Sequence, residues 1–367
     1  MEEPRPSTSA AGGSSLAAFA ALIHSEIGSW DNPAVELGIF GTREPVAIAA
    51  QFDAFCVAHF GAPIAVPLFY SSSIGAVAGA RLADCRQVVV KAHQPDVLVA
   101  YLSVVDGVRR HLAAQAFPCP KPLLGPVPLG AGHATVEEHD DEGEYRNAHE
   151  PPVRRALAQT LARLAELAQP FAGDPILLAA GRARRPPRDR LWVKPHSVIF
   201  DFEATVAGAE WIDDFARRAR RLLDAGGDVG EVVVGHNDWS MRQMRFLGDT
   251  VHVVYDWDSL IAEREPIVVG RAAKSFTMTY GTPLHGTVPV APAFDEIFAF
   301  VRDYESARHK RFSAAERRLL GASAAYSLAY TCRCGHAFAP RKDPDAAFPP
   351  GSYPAALSEY VDRLLAL

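Results

Sequence analysis

Two acidic residues, Asp238 and Asp256, close two short apolar runs that the chain has to bring side by side. Glu231-Val232-Val233-Val234 leads into Gly235-His236-Asn237-Asp238-Trp239-Ser240-Met241-Arg242-Gln243, and Val251-His252-Val253-Val254 leads into Tyr255-Asp256-Trp257-Asp258. Between them, Met244 to Leu247 and Thr250 to Tyr255 are strand-like and flank Gly248-Asp249. That two-residue connection suits a hairpin because glycine tolerates positive φ. The hairpin returns the chain beside its start, so Asp256 is expected close to Gln243 and Asp238. A proton-accepting carboxylate and a group able to hold a metal ion thus converge, as phosphoryl transfer requires.

His236-x-Asp238, the amide Gln243 and the later Asp256 resemble the catalytic loop and metal site of the aminoglycoside phosphotransferase family, small-molecule kinases related to protein kinases. The resemblance implies an α+β, protein-kinase-like fold: an N-lobe antiparallel sheet with a helix, then a mainly helical C-lobe. It implies ATP as phosphoryl donor and a hydroxyl of a small molecule (an antibiotic, a sugar or a related metabolite) as acceptor. Asp238 would be the catalytic base, His236 a brace for the loop, and Asp256 with Gln243 the Mg²⁺ ligands. The family usually carries Asn where this chain has Gln243. That departure motivates a rival reading, an ATP-binding pseudokinase that senses or scaffolds. Against it, Asp238, Asp256 and Lys91 are all present, and the longer amide still presents an oxygen.

Upstream, Val66 to Tyr70, Ala76 to Leu82 and Arg86 to Lys91 read as strands, with a small-residue turn at Ser71 to Gly75. Such a turn lets backbone N–H groups approach phosphate oxygens, which nominates Ser72, Ser73 and Gly75. Lys91 alone, at the end of Val88-Val89-Val90, reads as a solvated edge charge. With the His236/Asp238/Asp256 set downstream it reads instead as the strand lysine that pairs with ATP phosphates. The helix expected over residues 95–116 would supply a carboxylate partner, and Asp106 is the better placed of its two acids. Thr135, Val136 and Glu137, on the way out of the lobe, would form the adenine-binding hinge.

The organisation expected is a disordered start over 1–14, a helical segment over 15–62, an ATP-binding lobe over 63–137 and a helical lobe over 138–367. The helical segment would pack on the sheet or serve a dimer contact. Five arginines between Gly181 and Arg190 read as a mobile surface insertion. Cys332-Arg333-Cys334-Gly335-His336 reads as two semi-buried thiols near a helix end rather than as a metal site, because no second ligand cluster stands at zinc spacing. Trp239 and Trp257 read as packing residues.

The formal charge of −6 argues against nucleic acid as partner. No apolar run reaches the ~20 residues that span a bilayer, and Met1 to Pro6 lacks the basic start of a signal peptide. A cytoplasmic protein without membrane partner, monomer or homodimer, is expected. From Gly286 onward nine acids face ten Lys/Arg. That balance modestly disfavours a polycationic acceptor.

Overall fold

The computed structural model describes residues 8–29, 34–340 and 346–367, which form two compact units. The first comprises Met1–Arg110 and Pro120–Asp140, and the second His111–Cys119 and Asp141–Leu367.

In the first unit, helices α1 (Thr8–Ser29), α2 (Ala34–Phe40) and α3 (Pro45–Phe60) precede strands β1 (Ile64–Ser72), β2 (Ala76–Leu82) and β3 (Gln87–His93). Helix α4 (Val99–Ala114) follows, then β4 (Pro122–Leu129) and β5 (Gly132–Glu138). The β-branched and small residues of these strands pair antiparallel in the order β1-β2-β3-β5-β4. α1 and α3 cover the sheet: Phe19 packs on Phe52 and Tyr70 at ring separations of 5.7 and 6.4 Å. Ile23, Ile48, Ala78, Val88 and Val136 belong to the same core. Helices and sheet are therefore one unit, and the boundary expected near residue 62 does not divide them. Burying these side chains at about 25 cal/mol per Å² is what ties the helical segment to the sheet.

α1 already runs through Ser14 and Ser15. Ser15 is buried and its hydroxyl donates to the Ile64 carbonyl at 2.6 Å, so it joins α1 to β1 instead of capping the helix. Residues 8–14, expected to be disordered, are helical, while 1–7 lie outside the described residues.

The second unit carries α5 (Pro151–Leu167), α6 (Pro175–Ala183), α7 (Glu210–Gly226), β6 (Val232–His236), β7 (Met244–Leu247), β8 (Thr250–Val254) and β9 (Leu260–Arg264). These are followed by α8 (Glu265–Ser275), α9 (Phe294–Ala307), α10 (Ala314–Phe338) and α11 (Tyr353–Leu365). α5 buries a stripe of Val153, Leu157, Leu161 and Leu164. β6 pairs with β9 and β7 with β8, both antiparallel. Gly235 is required here, because a Cβ would strike Val268 of α8. The arginine-rich stretch is not a mobile insertion throughout. Its first residues complete α6, and Arg185 donates through Nε to buried Glu263 on β9 at 2.6 Å. Cys332 and Cys334 lie buried on α10, where His336 is engaged by the Ala207 carbonyl at 3.0 Å. Among the described residues no helix is long and apolar enough to cross a membrane.

Candidate active site

β6 delivers the loop that carries Asp238, and β9 holds it. His236 pairs with Leu260 in the ladder, and the next amide, Asn237 N–H, donates to the Ser259 carbonyl at 3.0 Å. His236 is 2% exposed. Its Nε2 donates to the Tyr255 carbonyl at 2.9 Å, leaving Nδ1 to accept from the Asp238 N–H at 3.3 Å. The ring therefore ties both acidic segments to one point. Trp239 and Trp257 pack edge-on against it at 5.8 Å, each 1% exposed and each donating its indole N–H to a backbone carbonyl. They are core residues.

The hairpin closes as its spacing predicts. Met244 opposes Val254, and Tyr255 N–H donates to the Gln243 carbonyl at 2.8 Å. Gln243 is 8% exposed, and its Nε2 donates to Asp238 Oδ2 at 2.7 Å and Asp256 Oδ2 at 3.2 Å. One amide nitrogen thus bridges the two carboxylates. Asp256 sits at φ 63°, ψ 48°, a left-handed conformation that Asp tolerates better than most residues. The loop is pinned from below by Met241 and Arg242 N–H groups, which donate to the Phe276 and Met278 carbonyls, each at 3.1 Å.

Mg²⁺ wants hard oxygens, and one or two protein carboxylates suffice because phosphate and water complete its shell. Asp256 fits that requirement. Gln243 does not fit as oriented, because its nitrogen faces both carboxylates, as two anionic acceptors demand of a donor. In this orientation the Gln243 amide bridges the two carboxylates.

Residues missed from the sequence complete the site. Ser240 donates to Asp238 Oδ1 at 3.4 Å, Arg242 Nε lies 3.6 Å from Asp238 Oδ2, and Ser259 Oγ reaches His236 Nδ1 at 3.1 Å. Arg271 on α8 donates to Asn237 Oδ1 at 2.8 Å. Ser259 and Arg271 carry no local signal; the β6–β9 pairing and the packing of α8 bring them in.

In the first unit Lys91 has a carboxylate partner, but not the expected one. Its ammonium lies 3.4 Å from Glu137 Oε1, and Arg109 of α4 holds Glu137 Oε2 at 2.7 Å. Asp106 pairs instead with Arg110, one helical turn on, at 2.7 Å. The helix thus contributes a cation, and the carboxylate comes from β5. Thr135, Val136 and Glu137 do not form a hinge: they run along β5 between β3 and β4, with Thr135 opposite Lys91. The β1–β2 turn is occupied too. Glu26 of α1 accepts from Ser72 N–H at 3.1 Å and from the Ser71 hydroxyl at 3.2 Å, while Ser73 N–H donates to the Gly75 carbonyl at 3.1 Å. Gly75 lets the turn approach β3, since a Cβ would lie 2.6 Å from the Ala92 carbonyl oxygen.

The sequence matches no protein-family model and no curated protein. Solved structures do match in fold. An aminoglycoside phosphotransferase from Alicyclobacillus acidocaldarius is 14% identical with a TM-score of 0.50, over 83% of this chain and 91% of that one. A spectinomycin phosphotransferase in complex with ADP and spectinomycin is 11% identical at a TM-score of 0.50, over 86% and 98%. An amicoumacin kinase in complex with AMP-PNP, Ca²⁺ and Ami is 11% identical at the same TM-score, over 82% and 88%. The chain therefore has the α+β, protein-kinase-like fold of the aminoglycoside phosphotransferases and related small-molecule kinases.

Proposed function

We propose that this protein is an ATP-dependent phosphotransferase that moves the γ-phosphate to a hydroxyl of a small molecule. The observation that carries the reading is the Gln243 amide donating to both Asp238 and Asp256, at 2.7 and 3.2 Å. Phosphoryl transfer is mostly positioning and charge neutralisation. A pair of carboxylates held in register by one donor supplies an orienting base and a metal-holding group. Two of the structurally similar kinases were solved with nucleotides, which supports ATP as donor.

In this reading Asp238 orients the acceptor hydroxyl and accepts its proton. Asp256 would hold Mg²⁺, which when bound neutralises phosphate charge. Gln243 holds the two carboxylates in register, and His236 fixes the loop through Tyr255 and Asp238. Lys91, anchored by Glu137, would pair with the non-transferred phosphates. The test is an ADP-release screen of hydroxylated acceptors at millimolar Mg²⁺. Turnover with any one, lost in Asp256→Ala, supports the reading; ATP binding with no turnover across the panel favours the pseudokinase.

A further inference from the structure

α8 runs toward the loop that carries Asp238, and its penultimate residue, Lys274, is 4% exposed. The ammonium donates to Thr331 Oγ1 of α10 at 2.6 Å and lies 4.8 Å from the ring centroid of Tyr353 of α11. Among the described residues no carboxylate forms an ion pair with it. Asp238 is the carboxylate whose charge reaches it, alongside the buried thiols Cys332 and Cys334. An ammonium has three N–H donors, and the Thr331 hydroxyl takes one. Burial pushes its pKa down to about 8, so it still carries charge at neutral pH. A buried cation in this state costs several kcal/mol unless an anion completes it.

Apart from Asp256, which this reading assigns to Mg²⁺, the charged side chains gathered around Asp238 are cationic. Arg242 lies 3.6 Å from its carboxylate, and Arg271 is bonded to the neighbouring Asn237 at 2.8 Å. His196 senses Asp238 together with Arg184 and Arg242. A polycationic acceptor would meet repulsion here, and a neutral one would leave Lys274 incomplete.

We propose that the acceptor is a hydroxylated anion, its carboxylate or phosphate group held by Lys274 beside Thr331 while its hydroxyl meets Asp238. Lys274 is then the specificity-determining residue of the acceptor site. This rests on the phosphotransferase reading of Asp238, and the experiment separates the two.

Matched probes are used: gluconate against glucose, mandelate against mandelamide, glycerol 3-phosphate against glycerol, with kanamycin as the polycation. Ligand-induced thermal stabilisation and ADP release are measured on wild type, Lys274→Met and Asp238→Asn. The expected result is stabilisation by at least one anionic member, stronger than by its neutral partner and absent with kanamycin. In Lys274→Met the anionic-to-neutral preference falls on the order of 10- to 100-fold, the loss of one charged hydrogen bond, while the unliganded melting temperature holds or rises. Asp238→Asn keeps the anion-induced stabilisation but loses transfer. Preference for the neutral or cationic members, equal losses on both members in Lys274→Met, or no stabilisation by any anion overturns the proposal. Lys274-dependent anion binding without transfer in wild type would retain the anion site and overturn the phosphotransferase reading instead.

Discussion

Replacing Gln243 with leucine, which keeps volume and removes the donor, strips the side-chain amide that bridges Asp238 and Asp256. Their two Oδ2 atoms share one nitrogen at 2.7 and 3.2 Å, so they lie within about 6 Å of each other. At an effective dielectric constant near 20, two unit charges at that distance repel by about 3 kcal/mol. The donor offsets this, and its shorter bond, charge-assisted, contributes about 1.5–3 kcal/mol. Transferred to the barrier, that range is a fall in kcat of about 10- to 100-fold. ADP release with an accepted hydroxyl compound at saturating ATP reads it directly. Gln243→Glu, a third carboxylate in the cluster, should lose more. Gln243→Asn, shorter by one methylene of about 1.5 Å, cannot reach both oxygens and should fall between wild type and leucine. A Gln243→Leu enzyme within about threefold of wild type, with unchanged ATP affinity, would refute the bridging role.

Glu26→Ala frees the Ser72 N–H that its carboxylate now occupies at 3.1 Å. ATP should then bind on the order of fivefold tighter, the equivalent of about 1 kcal/mol, in a fluorescent-nucleotide titration; unchanged or weaker binding would show that the turn does not meet phosphate. Lys274 gives a stability signature. Its folded pKa is lowered to about 8 from 10.5, so between these values the unfolded chain holds the proton that the folded one has released, and stability rises with pH. Urea unfolding across that window should show wild type gaining up to roughly 3 kcal/mol relative to Lys274→Met, and parallel curves would contradict the burial of this ammonium. Glu137→Gln, which breaks the link between Lys91 and Arg109, should weaken ATP binding and lower the melting temperature, whereas Asp106→Asn should change neither.

The hairpin was legible because its information is local. Gly248-Asp249 sets the turn, strand-like segments flank it, and the convergence of Gln243, Asp238 and Asp256 follows from chain geometry. The partner of Lys91 was not legible, because it depends on register. Lys91 opposes Thr135, and Glu137 stands two residues on, on the same face of β5, within diagonal reach. No spacing in the sequence specifies that pairing, and the helical Asp106 was the plausible alternative until Arg110 claimed it. The orientation of the Gln243 amide was equally hidden, since only the two flanking acceptors decide which end faces inward. α2, α6 and β9 are short, of 7, 9 and 5 residues, and carry too little periodicity to stand out. α1 runs through Gly12-Gly13 despite their low helix propensity. Lys274 offered nothing to read, because a lysine on an amphipathic helix is ordinarily assigned to the solvent face, and α8 is buried along most of its length.

The direct test of the central claim is the fate of the phosphoryl group. Wild type and Asp238→Asn are each incubated with ATP, millimolar Mg²⁺ and the acceptor panel, and products are followed by ³¹P NMR. Wild type should yield ADP and a phosphorylated acceptor, and Asp238→Asn should bind ATP with unchanged affinity and form product at least about 100-fold more slowly. Equal product formation by both proteins, or ATP binding by wild type with no phosphorylated acceptor at all, would contradict Asp238 as the group on which transfer turns.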